Sequence, residues 1–228
     1  MRHETRAAAA EPLASGAGPR RWTPAGTLGV DTALLELGVL VRDTLQRSLP
    51  AIVAGEQALC EQVVQGGAEI GRRYQGLELG VLALIARPQS ASADLRRLAT
   101  ILQIAMHLER IGDAAVTLAR LGRLAPTSRL PAMVGEPLGE MGCLVVKLTG
   151  LGVRAFANRD LVLCMALDDI DDRLHQLNRR VLALVRGLDQ TEQECAWGAL
   201  VYDAARELER AGGHAVDIGE HVRTVIAG

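Results

Sequence analysis

The side chains with the clearest potential for chemistry in this 228-residue chain are two pairs of carboxylates spaced four residues apart. Glu109 precedes Asp113, and Asp168 precedes Asp172. On an α-helix, residues four apart share one face, so each pair offers its oxygens in a single direction. Carboxylate oxygens suit hard or borderline cations such as Mg, Ca, Mn or Fe. The spacing is therefore compatible with a cation site and equally with a solvated acidic face.

The helices that carry these pairs are indicated by heptads of apolar residues. The stretch around Asp168 steps by four and three residues through Leu163, Leu167, Ile170, Leu174, Leu177, Val181 and Leu184. In that register Glu109 and Asp168 take position b, and Asp113 and Asp172 take position f, so all four point away from the apolar seam. Ferritin-like di-iron proteins instead place their carboxylates inside the bundle. The pattern predicts surface sites over an aliphatic core.

The second feature of the sequence is an internal repeat at an offset of 100 residues. The segment Leu108-Glu109-Arg110-Ile111-Gly112 mirrors Leu208-Glu209-Arg210-Ala211-Gly212, and the seams of the surrounding helices align without a gap. Self-similarity at a fixed offset is the mark of duplicated architecture. With 49% hydrophobic but only 2% aromatic residues, the chain favours helix packed on helix. We expect an all-α protein with two sets of three helices.

Helix boundaries follow from proline, glycine and capping residues. We predict a disordered tail over 1–27, a first repeat over 28–124, a linker over 125–137 and a second repeat over 138–228. Pro50 should kink or end the first helix, and Thr191 with Glu194 has the spacing of a capping box. The predicted helices are 28–54, 56–86, 92–123, 138–158, 160–188 and 192–226.

Composition and missing motifs exclude several classes of function. A net charge of -2 without a basic stripe disfavours nucleic acid. Apolar runs are too short to cross a bilayer, and no signal peptide is apparent, so we expect a soluble, cytoplasmic protein. Phosphate-cradling and hydrolytic motifs are absent, which predicts no enzyme and no catalytic or cofactor-binding residues. We expect reduced, mostly buried thiols at Cys60, Cys143, Cys164 and Cys195.

Four histidines lie close to these motifs. His175 follows Asp172 by three residues and is placed to join the acidic group, although an isolated exposed histidine is more often a surface residue. His107, His214 and His221 flank the repeated motif, and their spacing relative to the cysteines matches no zinc pattern. We expect these three to be structural or solvent-facing.

Taken together, these residues resemble the PhoU family. The resemblance rests on Ser92-Ala93-Asp94-Leu95-Arg96, on 108–113, on its duplicate 208–215, and on the acidic run 168–172 with Leu174-His175. It covers roughly residues 35–228. It implies two pseudo-symmetric antiparallel three-helix bundles in a protein that is frequently a homodimer. It also implies a regulator that acts beside an ABC-type phosphate transporter and a sensor histidine kinase and keeps phosphate-starvation genes off.

The family binds multinuclear metal clusters through pairs of E(D)-x-x-x-D motifs, and this chain departs from that pattern in both halves. Ala68 and Arg72 stand where Asp168 and Asp172 stand in the second half, and Gly213 replaces the last acid there. We therefore expect metal ligands at Asp168, Asp172, Glu209, Glu109 and Asp113, at incomplete sites, with any divalent or iron-type metal preferring the three acids of the second half. Arg72 would instead pair with Glu109 or Asp113.

The resemblance leads to one expected function and two alternatives. The expected function is a cytoplasmic adaptor between the transporter ATPase and the kinase, reaching the membrane only through its partners and contacting no nucleic acid. The first alternative is a scaffold of the same fold with a changed partner, which the incomplete ligand sets permit. The second is a helical metalloprotein that uses its surface carboxylates to activate water.

Overall fold

Six long α-helices make up the protein. The computed structural model describes residues 27–54, 56–87, 92–126, 130–188 and 191–227, and these residues contain no β-strand. The predicted tail lies, but for Thr27, outside the described residues. The all-α fold is confirmed. The helices are α1 (Thr27–Ala54), α2 (Gln57–Ile85), α3 (Ser92–Gly122), α4 (Ala132–Asn158), α5 (Leu161–Val185) and α6 (Glu192–Ala227).

The helices pack as two three-helix bundles. α1, α2 and α3 pack on one another, as do α4, α5 and α6, and the bundles meet where α3 lies against α6 and α1 against α4. One continuous apolar core runs through both bundles. The helices that carry the repeated motif are therefore central, whereas the extensive contacts of α2 and α5 are all within their own bundle. Among the described helices, none has a stretch long and apolar enough to cross a membrane.

The heptad seams account for this packing. Leu77 and Val81 of α2 and their repeat equivalents Leu177 and Val181 of α5 are at most 1% exposed. In α3 and α6 the seam is equally buried, through Ile101, Ile104, Leu108, Ile111, Ala115 and Leu118 and through Val201, Ala204, Leu208, Ala211, Ala215, Ile218 and Val222. Such burial contributes about 25 cal/mol per Å² of apolar surface, which makes the seam the main source of stability.

The predicted start of the fourth helix is wrong by six residues. α4 begins at Ala132 rather than Leu138 and contains Pro137 in its second turn. A proline there removes one hydrogen bond, and the Pro137 ring is buried against the core, so packing outweighs the loss. Pro50 likewise lies inside α1, which continues to Ala54 while Ala51 and Ile52 are held in the core. The other predicted boundaries agree within three residues.

Local hydrogen bonds begin α5 and α6. The Asp160 carboxylate accepts from the backbone N–H groups of Val162 (2.9 Å) and Leu163 (3.2 Å), capping α5 directly after Arg159 ends α4 with φ 51°. Thr191 Oγ1 accepts from the Glu194 N–H at 3.1 Å and donates to the Glu194 carboxylate, which confirms the capping box. The Asp160 cap fixes where α5, the helix that carries Asp168 and Asp172, begins.

The cysteines are reduced but less buried than predicted. Cys60 and Cys164 are buried, whereas Cys143 and Cys195 are exposed. The exposed pair lies on α4 and α6, on helix faces that do not point into the core.

Candidate functional site

The carboxylates predicted for the second bundle lie on the neighbouring helices α5 and α6. Asp168 and Asp172 are exposed, and Glu209 is half-buried. Arg223 Nη1 donates to Asp168 at 3.1 Å. The Asp168 carboxylate thus already has a cationic partner, the Arg223 guanidinium of α6.

His175 joins this acidic group as a bridge between the two helices. Its Nδ1 lies 3.0 Å from a Glu209 carboxylate oxygen, and its Nε2 lies 3.2 Å from Asp171 Oδ2. Burial raises the pKa of the Asp171 carboxyl, and the neighbouring charge of Asp172 raises it further. The other Asp171 oxygen, Oδ1, is buried without a hydrogen-bond partner. His175 is therefore a connecting residue rather than an isolated surface side chain.

The first bundle offers Glu109 and Asp113 on α3. Glu109 is half-buried, and desolvation together with the nearby Asp113 charge raises the pKa of its carboxyl. Asp113 is largely exposed, and Arg110 Nη1 lies 3.8 Å from it. The two acids share a face as the spacing predicts, but they are unequal in solvation.

Arg72 does not form the predicted ion pair with either acid. Its guanidinium donates to Glu69 at 2.7 Å, and Arg73 donates to the same carboxylate at 2.9 Å. Glu69 lies three residues before Arg72 on α2, and residues three apart are neighbours on one helix face. Arg72 therefore pairs with this acid of its own helix rather than with the acids of α3. The hydrogen bond from Arg73 and then that from Arg72 lower the pKa of Glu69.

Neither the carboxylates of the first bundle nor those of the second bring three ligand atoms within 4.8 Å of one another. In the part of the chain that the structure describes, the one group of three such atoms within 4.8 Å of one another is His107, His214 and Asp217. The metal sites predicted at Asp168, Asp172 and Glu209, and at Glu109 and Asp113, stay predictions.

The histidines expected to be structural or solvent-facing instead meet where the two bundles join. His107 of α3 is only 8% exposed. Its Nδ1 lies 3.2 Å from His214 Nδ1, and its Nε2 lies 3.1 Å from His221 Nε2, both on α6. Burial lowers the pKa of His107, which favours the neutral ring. The sequence does contain a partial signal, because His214, Asp217 and His221 are spaced three and four residues apart on one helical face.

Comparisons with known proteins agree with the fold. The family model described as "PhoU domain" matches residues 34–122 and 138–222, once in each bundle. The crystal structure of PhoU from Pseudomonas aeruginosa is 26% identical, with a TM-score of 0.82 over 87% of this chain and 96% of that one. The phosphate transport system regulatory protein PhoU from Streptococcus pneumoniae, 22% identical, shares the fold with a TM-score of 0.78 over 86% of this chain and 92% of that one.

Sequence relatives extend the agreement. A phosphate-specific transport system accessory protein PhoU homolog from Pseudomonas putida is 27% identical over 87% of this chain and 78% of its own length. A homolog with the same description from Mycobacterium tuberculosis is 27% identical over 90% of both chains. A duplicated helical bundle with this motif defines a family of regulatory accessory proteins. The chain belongs to the PhoU family.

Proposed function

We propose that this protein is an accessory regulator of phosphate uptake, acting in the cytoplasm through protein binding rather than catalysis. The observation that carries the proposal is the match of both repeats to the PhoU domain. Relatives described as accessory proteins of phosphate-specific transport systems cover most of this chain and support the same role.

The proposed partners are the ATPase of an ABC phosphate transporter and a sensor histidine kinase, bridged by a homodimer of this protein to repress phosphate-responsive genes. The outer helices α2 and α5 suit such binding because the other bundle does not cover them. Each has an exposed apolar residue on that side, Leu79 at 67% and Met165 at 66%. Apolar side chains at the centre of a polar surface are the usual anchors of a protein interface.

We propose further that Asp168, Asp172 and Glu209 hold a divalent or iron-type cation on the surface of the second bundle. Oxygen donors on adjacent helices and a bridging imidazole at His175 support this. Arg223 opposes it, since its guanidinium occupies Asp168. Metal analysis of the anaerobically purified protein and of a D168N/D172N variant tests the site. Equal metal content in both would count against it.

The regulatory proposal is tested in the organism that encodes the chain. Deleting the gene should raise phosphate-responsive transcription in high phosphate, and the tagged full-length protein should retain the transporter ATPase or the kinase in a pull-down. Unchanged transcription together with retention of neither partner would refute the proposal.

Two surface variants refine the pull-down. Leu79→Glu and Met165→Glu change equally exposed residues on α2 and α5, so neither should disturb the core. Loss of a partner with one variant and not with the other assigns that partner to one bundle. Their far-UV circular dichroism should equal that of the unmodified protein.

A second candidate is a PhoU-fold scaffold with a changed partner. The incomplete ligand sets favour it, because Ala68, Arg72 and Gly213 stand where the other repeat or the family pattern has an acid. Capture of a partner unrelated to phosphate transport, with unchanged phosphate response on deletion, would select this candidate over the first.

A further inference from the structure

Three side chains at the junction of the two bundles form a compact triangle of possible ligand atoms. His107 Nδ1 lies 3.2 Å from His214 Nδ1 and 3.4 Å from Asp217 Oδ2, and the third side, from His214 Nδ1 to Asp217 Oδ2, is 3.6 Å. One ligand comes from α3 and two come from α6, so the triangle spans both repeats. It uses none of the carboxylates that the family resemblance singles out.

The size of the triangle suits tetrahedral coordination. Zinc binds imidazole nitrogen and carboxylate oxygen at about 2.0–2.1 Å, which places tetrahedral ligands about 3.3 Å apart. An octahedral ion at the same bond length would need about 2.9 Å between adjacent ligands. A point about 2.0 Å from all three atoms exists near the centre of the observed triangle, by the same geometry. The separations between the three atoms are therefore already those of a zinc site.

The protonation of the cluster also favours a cation. A carboxylate only accepts hydrogen bonds, and a neutral imidazole has one donor and one acceptor nitrogen. His107 Nδ1 faces two possible acceptors at once, Asp217 Oδ2 and His214 Nδ1. A divalent cation would bond to all three of these atoms at once. Because His107 is buried, it cannot turn to water instead.

A second layer of contact would orient the buried ligand. With a cation on Nδ1 of His107, its Nε2 keeps the proton and donates to His221 Nε2, 3.1 Å away. Hydrogen bonding of the remote ring nitrogen is the usual way in which proteins fix a metal-binding histidine. The opposite side is open, since the side chains of His214 and Asp217 are 26% and 45% exposed. That opening gives an ion its entry path and leaves one coordination position to solvent.

The three ligands are not repeated between the two halves, although His214 lies within the duplicated segment 208–215. At the offset of 100, His107 corresponds to Glu207, and His214, Asp217 and His221 correspond to Ala114, Thr117 and Leu121. The ligands therefore occur once, on the contact between repeats, whereas the glutamate of the repeated motif occurs in each half as Glu109 and Glu209. We propose that His107, His214 and Asp217 form a site for one zinc-type divalent cation that joins α3 to α6. This goes beyond the proposed regulatory function and does not depend on it.

The experiment uses the full chain, stripped with a chelator and titrated with Co²⁺ and then Zn²⁺ as the only added metals. We expect one equivalent of Co²⁺ to give the strong visible bands of tetrahedral coordination and Zn²⁺ to abolish them. His214→Ala and Asp217→Ala should each remove the bands. His221→Ala should weaken binding about 10-fold to 100-fold, as loss of an orienting contact does.

Asp203→Ala is the matched control, because it removes an exposed carboxylate of α6 that lies 14 residues before Asp217 and belongs to neither proposed site. It should bind Co²⁺ like the unmodified protein. Asp217 is exposed, so its variant keeps the fold and tests the ligand alone, with far-UV circular dichroism as the check. Two results would overturn the proposal: no tetrahedral spectrum from the unmodified chain, or a spectrum that survives in both the His214 and Asp217 variants.

Discussion

Gly122 of α3 packs directly against the backbone of α1, and its replacement by alanine is expected to destabilise the protein. A Cβ there would stand 2.7 Å from the Ala51 carbonyl oxygen, 3.0 Å from its carbon and 3.2 Å from the Ile52 nitrogen. These are backbone atoms, so no rotamer change relieves the overlap and the two helices must separate. Crowding of this kind costs about 1–3 kcal/mol.

Gly71 provides the matched control. A Cβ at Gly71, inside α2, would meet nothing within 4 Å. Alanine should stabilise the helix there by about 0.5–1 kcal/mol, because it restricts the unfolded chain more than glycine does. The same stabilisation by alanine is weaker at Gly122, because Gly122 is the last residue of α3 rather than an interior one. We therefore expect Gly122→Ala to be about 1–2 kcal/mol less stable than the unmodified protein and about 1.5–3 kcal/mol less stable than Gly71→Ala.

Urea unfolding followed by circular dichroism at the helical band measures this difference. For a chain of this length it corresponds to a gap in Tm of roughly 5–10 °C between the two variants. The reasoning would be refuted by a Gly122→Ala protein at least as stable as the unmodified chain with the same dependence on urea. That result would mean that α1 and α3 separate at no cost.

Three further predictions concern caps, thiols and pH. Asp160→Ala should cost about 1 kcal/mol in urea unfolding while Asp160→Asn costs much less, because asparagine can also cap α5; equal losses would contradict the cap. Iodoacetamide should label only the exposed Cys143 and Cys195 in the folded protein. Burial shields the thiols of Cys60 and Cys164 from the reagent and raises their pKa. Mass spectrometry should therefore find two adducts in the folded protein and four after denaturation. The hydrogen bonds from Arg73 and Arg72 lower the pKa of Glu69, so its ion pairs stabilise the fold at neutral pH, and this contribution disappears as the pH falls through the lowered pKa. Glu69→Gln should therefore reduce the free energy of unfolding by at most about 1 kcal/mol near pH 7, because Glu69 is partly exposed, and should change nothing in strong acid. Thermal unfolding at the two pH values measures the difference.

The parts of the fold that follow a period could be predicted from sequence. The alternating steps of four and three residues identify which face of each helix is buried, and the offset of 100 identifies the duplication. Both depend on local or repeated spacing, as does the capping box at Thr191 and Glu194. The start of α4 was missed because the burial of Pro137, which outweighs its lost hydrogen bond, depends on packing with distant residues.

The candidate sites were predicted less completely. The faces of Glu109, Asp113, Asp168 and Asp172 follow from the heptads, but the partner of each side chain does not. Arg72 pairs with Glu69 because that carboxylate is its neighbour on the same helix. The histidine cluster was not predicted, because His107 and His214 are 107 residues apart in the sequence and come into contact only when the two bundles pack together.

The core that runs through α3 and α6 has a consequence for the history of the chain. An isolated half would leave the contact face of α3 uncovered, and a second copy of the same half is the natural surface to cover it. A single-repeat ancestor would thus have been a symmetric pair of chains. Joining the two copies freed each to change alone, so a contact on one side of the former axis no longer had to be repeated on the other. The contact of His107 with His214 and His221 occurs only once, because Glu207, Ala114 and Leu121 stand at the equivalent positions, and only the fused form permits this.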